Sequence, residues 1–383
     1  MGSGVRRGDD GWTAKPELSH EMTVAFDSCG ACERARAFIR SRYCSKRSEA
    51  LCNEAARFSG WSVGCSSAAA GTRTTGVATR RIAILSPGGS ELHDPTFTTI
   101  NAFLRGLQEL GYKEGQNLTV EREYANGSSD RLRELASELV RRKPEMVVAL
   151  STTAALPLKR ATSTIPIVAV GMADPVADEL VASLARPGGN VTGTTFLGPE
   201  LVAKRLQMLR EVVPGLTRVA ALWHAGAYSE RTMAGIRNEV ELAARTLGLQ
   251  LQLVPAASPD DFAGAFAAIV QERTEALIVM PSPMLFGEYK RIAGIATDSR
   301  LPAMGAAREF AEFGGLMSYG ANLPDLARQT ATHADKILKG AKPAELPVEQ
   351  PVKFELVINL KTARELGLTI GRAFLLVADD VIE

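Results

Sequence analysis

Cysteine is missing from most of this chain: Cys29, Cys32, Cys44, Cys52 and Cys65 are all five, so the three hundred or so residues after them hold neither thiol nor disulfide. That absence removes any chemistry built on two facing thiols and leaves the redox compartment of the body unmarked. Long apolar runs are also lacking. No stretch reaches the roughly 18 to 20 uncharged residues of a membrane span, so no integral membrane segment is expected. Nor is there an excess of positive charge. The formal net charge is +1, with 12 basic against 8 acidic residues before residue 81 and 32 against 35 from there on. A weakly acidic body has no electrostatic footprint for nucleic acid, whose binding rests on many Lys and Arg contacts to phosphate. There is no Walker A loop, no G-x-G-x-x-G and no H-E-x-x-H, and His20, His93, His224 and His333 form no i,i+4 pair. No cofactor and no metal are expected.

What is present divides at about residue 80. Residues 1–80 are rich in Gly, Ser, Thr, Arg and Cys, show no sustained period of two or 3.6, and read as a poorly ordered extension. Cys29-Gly-Ala-Cys32 has the spacing of a thiolate pair for zinc, but Cys44 and Cys52 are too loosely spaced to complete a site. Gly60-Trp61-Ser62-Val63-Gly64 matches the nucleophile-elbow pattern without the apolar strand that must precede it. A secretory signal needs an apolar core of about 7 to 15 residues, and none is readable here.

At Arg81 the character changes. Ile82-Ala83-Ile84-Leu85-Ser86 is a short apolar run closed by Pro87-Gly88-Gly89, the form of a buried parallel strand and its loop. Phe97, Ile100, Leu104, Leu107 and Leu110 then recur at helical spacing before Gly111. The same unit repeats: strands near 118–124, 146–150 and 165–170 alternate with helices near 130–142 and 155–161. A second series follows Thr195, with helices near 201–213, 231–247 and 261–271 and strands near 219–223, 249–254 and 276–280. Alternation of this kind specifies α/β architecture with a parallel sheet flanked by helices. Two series specify two such lobes.

Three junctions link the series: Thr194–Pro199, Ser318-Tyr319-Gly320 before a helix at 323–338, and the Pro-rich Pro343–Pro351 before 352–359. They divide the body into one lobe of residues 81–195 plus about 320–345, and another of 196–319 plus about 346–383. The lobes share a multi-strand hinge, and ligand is expected in the cleft at the C-terminal strand ends.

Several segments together resemble the ABC-transporter substrate-binding family that includes tryptophan/tyrosine-type binding proteins. They are Ile165-Pro-Ile-Val168 with Asp174-Pro-Val176, the run from Leu180 through Arg186-Pro-Gly-Gly-Asn-Val-Thr-Gly193, Gly314–Gly320, Val357–Ala363 and Ala378–Glu383. The resemblance spans essentially all of 81–383. It implies a periplasmic-binding-protein-like fold of type I, a small-molecule solute such as an aromatic or other amino acid, permease and ATPase partners, and a periplasmic location. Members of that family begin with an export signal. Three explanations for its absence are open: the true start lies downstream, the front comes from another reading frame, or this copy is not exported.

Strand ends supply the candidate ligand contacts. Ser151-Thr152-Thr153 ends a strand and opens a helix, so its hydroxyls and first-turn N–H groups suit a carboxylate, or serve as helix caps. Asp174 suits a substrate ammonium, or a turn. Ser86 and Thr194 lie at the first strand end and the first junction. His224, Ser282 and Arg308 occupy matching positions in the second series. Arg308 has the fork for bidentate carboxylate pairing, or for an ion pair. Tyr319 suits stacking on an aromatic ligand or packing of the hinge. Two other functions compete with solute capture. An effector domain behind a DNA-binding head would need a helix-turn-helix in the first eighty residues, where core aliphatics are scarce. A two-lobed enzyme would need catalytic groups that no motif supplies.

Overall fold

A computed structural model describes residues 79–383 except 91–94 and 199–200. The Cys29–Cys32 pair, the Gly60–Gly64 pattern and nearly all of the extension lie outside the described residues. The described residues belong to one compact unit, Thr75–Glu383.

The first sheet begins where the apolar runs begin. Strands β1 (Arg80–Ser86), β2 (Leu118–Tyr124), β3 (Met146–Leu150), β4 (Ile167–Met172) and β5 (Val191–Thr195) lie in the order β2-β1-β3-β4-β5, all parallel. Every residue of β3, β4 and β5 is buried, which is why β3 and β4 read as continuous apolar runs rather than alternations. Helices α1 (Pro95–Glu109), α2 (Ser129–Arg141) and α3 (Ser151–Ala161) cross between them. Helix α2 starts at Ser128, whose Oγ accepts from the Arg131 N–H at 3.2 Å.

The second sheet has seven strands in the order β12-β11-β10-β9-β8-β6-β7. They are β6 (Arg218–His224), β7 (Gln250–Ala256), β8 (Ala276–Val279), β9 (Ala303–Gly305), β10 (Met317–Ala321), β11 (Phe354–Asn359) and β12 (Asp380–Ile382). Its helices are α4 (Val202–Val212), α5 (Glu230–Thr246), α6 (Phe262–Gln271), α7 (Pro283–Gly287), α8 (Tyr289–Asp298) and α9 (Arg308–Glu312), followed near the C-terminus by α11 (Leu360–Glu365) and α12 (Arg372–Leu375). The remaining helix, α10 (Leu323–Leu338), leaves this sheet and packs on α1. A Cβ on Gly106 would meet the Arg328 carbonyl at 2.7 Å and Ala331 Cβ at 2.8 Å, so glycine in α1 sets how closely α10 can lie.

Each sheet has an apolar core on both faces: Leu85, Leu135 and Ala149 on one side of the first and Ile84, Phe103 and Val148 on the other, Ala221, Ile278 and Met317 against Leu222, Leu277 and Phe266 in the second. The architecture is α/β, with two sheets flanked by helices. One detail departs from a purely parallel expectation: β11 runs antiparallel to β10, from Met317↔Ile358 to Ala321↔Phe354. The chain returns to the second sheet along β5 of the first and so enters from the opposite end. No helix among the described residues is long and apolar enough to cross a membrane.

Three chain passages join the sheets, and they are bonded to one another. Thr195 N–H donates to the Glu349 carbonyl at 2.9 Å and Glu349 N–H to the Gly193 carbonyl at 2.9 Å, so the third passage lies beside the first. The Thr192 hydroxyl donates to the Leu346 carbonyl at 2.7 Å. Arg205 of α4, fully buried, donates from Nε to the Tyr319 carbonyl at 2.8 Å and from one terminal nitrogen to the Gly198 carbonyl at 3.0 Å, tying the first passage to the second.

Candidate functional site

Strand order reverses between β1 and β3 in the first sheet and between β6 and β8 in the second. Crevices form at such reversals, beyond the carboxyl ends of the strands. The two reversals face each other here. Thr153 of α3 donates its hydroxyl across the gap to the Ala227 carbonyl at 3.2 Å.

The pocket between them is narrow in this closed arrangement, with a cavity volume of about 50 Å³. From the first sheet's side come Thr99 and the strand-to-helix turn Leu150-Ser151-Thr152-Thr153, with Val170 and Gly171. From the other side come Tyr228 and the segment Pro281-Ser282-Pro283 with Phe286; Phe196 and Leu323, beside the passages, complete the wall. No charged side chain lines it, and three of its residues are aromatic.

Ser151 is the sharpest feature. It follows β3 with no intervening loop and holds φ at 72°, a left-handed conformation that is uncommon for a residue with a Cβ. Its hydroxyl is buried and has no hydrogen-bond partner in the protein. The turn aims the start of α3 into the pocket, where first-turn N–H groups have no acceptor within the helix. Thr152 is committed elsewhere, since its Oγ1 accepts from the Ala173 N–H at 2.9 Å. Ser282 caps α7 by accepting from the Leu285 N–H at 3.1 Å. Phe286 is braced edge-on by Tyr289, with ring centres 5.2 Å apart, and Tyr289 by Phe310 at 4.9 Å.

Two further hollows adjoin the pocket, one smaller than it and one larger. One, sharing Thr153 and Pro283, is lined by Pro87, Ser128 and His224. His224 is 9% exposed, and burial pushes its imidazole below the usual value of 6.5, so the ring is neutral at pH 7. The other, sharing Thr153 and Tyr228, is lined by Asp178, Glu179, Ala227 and Arg231. Asp178 takes the Thr232 hydroxyl at 2.6 Å, and Arg231 pairs with Glu179 at 3.0 Å.

Of the ten candidates from the sequence, Ser151, Thr152, Thr153 and Ser282 meet in one pocket and His224 lies in the adjoining hollow. The other five are placed elsewhere. Ser86 is buried beneath its loop and accepts from the Gly88 N–H at 3.2 Å. Asp174 accepts from the N–H groups of Val176 and Ala177 at 3.2 and 2.9 Å and shapes a turn. Thr194 accepts from the Gly171 N–H and contacts Thr330 inside the hinge. Arg308 is occupied by Glu355, Asp380 and Glu312, at 2.7, 2.8 and 3.0 Å. Tyr319 packs on Phe354, 6.1 Å between ring centres. Sequence reasoning missed Thr99, Phe196, Tyr228, Phe286 and Asp178. The strand-end rule reaches Tyr228 and Phe286, four and seven residues beyond β6 and β8, only if the loops are followed further.

Two parallel-dominated α/β sheets, hinged side by side with a crevice between opposed strand ends, define a solute-binding protein of the type I periplasmic-binding-protein-like class. A family described as "ABC transporter substrate binding protein" matches residues 91–382, and the chain belongs to that family. It is similar to the "Tyrosine-binding protein" of Clostridioides difficile, 24% identical over 273 residues that make up 70% of this chain and 75% of that one. Among solved structures it is similar to a conserved domain protein of Vibrio cholerae (29% identity, TM-score 0.74, covering 79% of this chain and 99% of that one). It is also similar to an ABC domain from Streptococcus pneumonia in complex with L-Trp (27% identity, TM-score 0.73, 80% and 100%).

Proposed function

We propose that this protein captures an aromatic amino acid between its lobes, outside the cytoplasm, and delivers it to the permease and ATPase of an ABC importer. The observation that carries the reading is the joint presence, in one pocket, of a helix start with a free Ser151 hydroxyl and of the rings of Phe196, Tyr228 and Phe286. A carboxylate suits the helix start, because the unpaired N–H groups and the helix dipole both favour negative charge there. An aromatic side chain suits the rings, which offer stacking and edge contacts worth about 0.5–1.5 kcal/mol each beyond area burial. The relatives named for tyrosine and crystallised with L-Trp support the same solute class.

Calorimetric titration and thermal unfolding of the full chain with each of the common amino acids test the proposal. L-Trp, L-Tyr or L-Phe is expected to bind and to raise the melting temperature, since a ligand at 100 times its Kd stabilises the folded state by about 2.7 kcal/mol. A chain that ignores all three and responds to a sugar or an aliphatic amino acid overturns it.

A further inference from the structure

The hollow beside the pocket contains a carboxylate that the protein leaves half-satisfied. Asp178 is only 6% exposed. Its Oδ1 receives the Thr232 hydroxyl from across the cleft at 2.6 Å, while Oδ2 is buried with no hydrogen-bond partner. Among the described residues it is the one carboxylate with a buried, unpartnered oxygen. None of the three arginines lining the hollow bonds to it: Arg231 is 3.0 Å from Glu179, with both side chains largely exposed, Arg133 pairs with Asp130, and Arg160 does not reach the unpartnered oxygen. An ionised carboxylate removed from water costs several kcal/mol unless a counter-charge or further donors reach it.

We propose that Asp178 is the ammonium subsite of the cleft, with Oδ2 accepting a hydrogen bond from the primary ammonium of a bound amino acid. The inference rests on the aromatic amino acid reading above and names the group by which such a solute is told from its deaminated counterpart. Asp178 and the start of α3 border adjoining spaces that share Thr153 and Tyr228. A zwitterion therefore finds donors for its carboxylate at Ser151 and an acceptor for its ammonium at Asp178. The same geometry couples binding to closure. Thr232 and Ala227 belong to the second lobe and are bonded to Asp178 and Thr153 of the first, so the closed cleft holds the second lobe against the buried Asp178. A solute that brings a positive charge offsets that burial. One without it does not.

The test compares L-tryptophan with indolepropionate, which lacks only the ammonium, by calorimetric titration of the full-length wild type, Asp178→Asn and Thr232→Val. Asparagine keeps the shape and can still accept from Thr232. Wild type is expected to prefer L-tryptophan. Asp178→Asn is expected to weaken L-tryptophan on the order of 10- to 100-fold, the worth of a charge-assisted bond, while leaving indolepropionate nearly unchanged. Its unliganded melting temperature should equal or exceed that of wild type, because a buried charge has been removed. Thr232→Val should weaken both ligands by the same factor. Equal loss of both ligands in Asp178→Asn, or retained discrimination, overturns the inference and leaves the proposed function standing. Failure of the wild type to bind L-tryptophan, L-tyrosine or L-phenylalanine overturns both.

Discussion

Gly193 shows how much a single residue can carry. It sits in β5 with φ at 135°, and a Cβ there would lie 1.9 Å from the Ala169 carbonyl oxygen. No flexible side chain can give way, because the obstruction is backbone. Gly193→Ala is therefore expected to destabilise the protein by about 3 kcal/mol or more, the range reserved for strain and overpacking at a special backbone position, measured as a lowered urea midpoint. The rest of the Arg186–Gly193 run is equally structural. Gly188 takes φ at 71°, Asn190 Nδ2 donates to the carbonyls of Thr162 and Ile165, and Thr192 bonds to the returning chain at Leu346. This run, one of several segments that carry the family resemblance, ends in the hinge, where Thr192 and Gly193 hold the returning chain.

At the scale of elements, α4 acts on the hinge through Arg205. Its guanidinium holds carbonyls from two passages, Gly198 and Tyr319, in a fully buried setting. Arg205→Met is expected to cost about 2–4 kcal/mol by stranding those acceptors, read in denaturant unfolding, and to broaden the distribution of cleft widths seen by small-angle scattering. Arg205→Lys should recover only part of the loss, since one ammonium cannot reproduce the fork. The long elements were legible in the sequence because burial on both faces makes parallel strands such as Met146–Leu150 unbroken apolar runs, and helices such as Leu323–Leu338 complete several turns of their period. The three-residue β9, the five-residue α7 and α9 and the reversed β11 were not, because none spans enough of a period to announce itself or its direction. The site follows the same division. Ser151–Thr153 and Ser282 sit directly at strand ends, which topology alone puts in the cleft. Arg308 was drawn away by Glu355 and Asp380, 47 and 72 residues distant, and no local pattern foretells such partners. Asp178 is invisible for a related reason: it faces the cleft only because Thr232 approaches it from the other lobe.

For the molecule as a whole, the titration of His224 gives stability a slope with pH. Burial lowers its pKa in the folded state, whereas in the unfolded chain it returns to about 6.5. Between those two values the unfolded state binds more protons than the folded one, so stability rises with pH across that window and falls on acidification below about pH 6.5. His224→Asn, compared with wild type by melting temperature from about pH 7.5 to about pH 5, should flatten this part of the profile. An unchanged slope would assign it to other groups.

The bonds among the three passages bear on how this protein can move at all. Three independent linkers would let one lobe twist, slide and bend against the other. Linkers stitched at Gly193–Glu349, Thr192–Leu346 and Gly198–Arg205–Tyr319 behave as one ribbon, stiff along its width and compliant across its thickness. What remains is close to a single rotational coordinate, like a book turning on its spine. The free energy of solute capture is then spent on one angle.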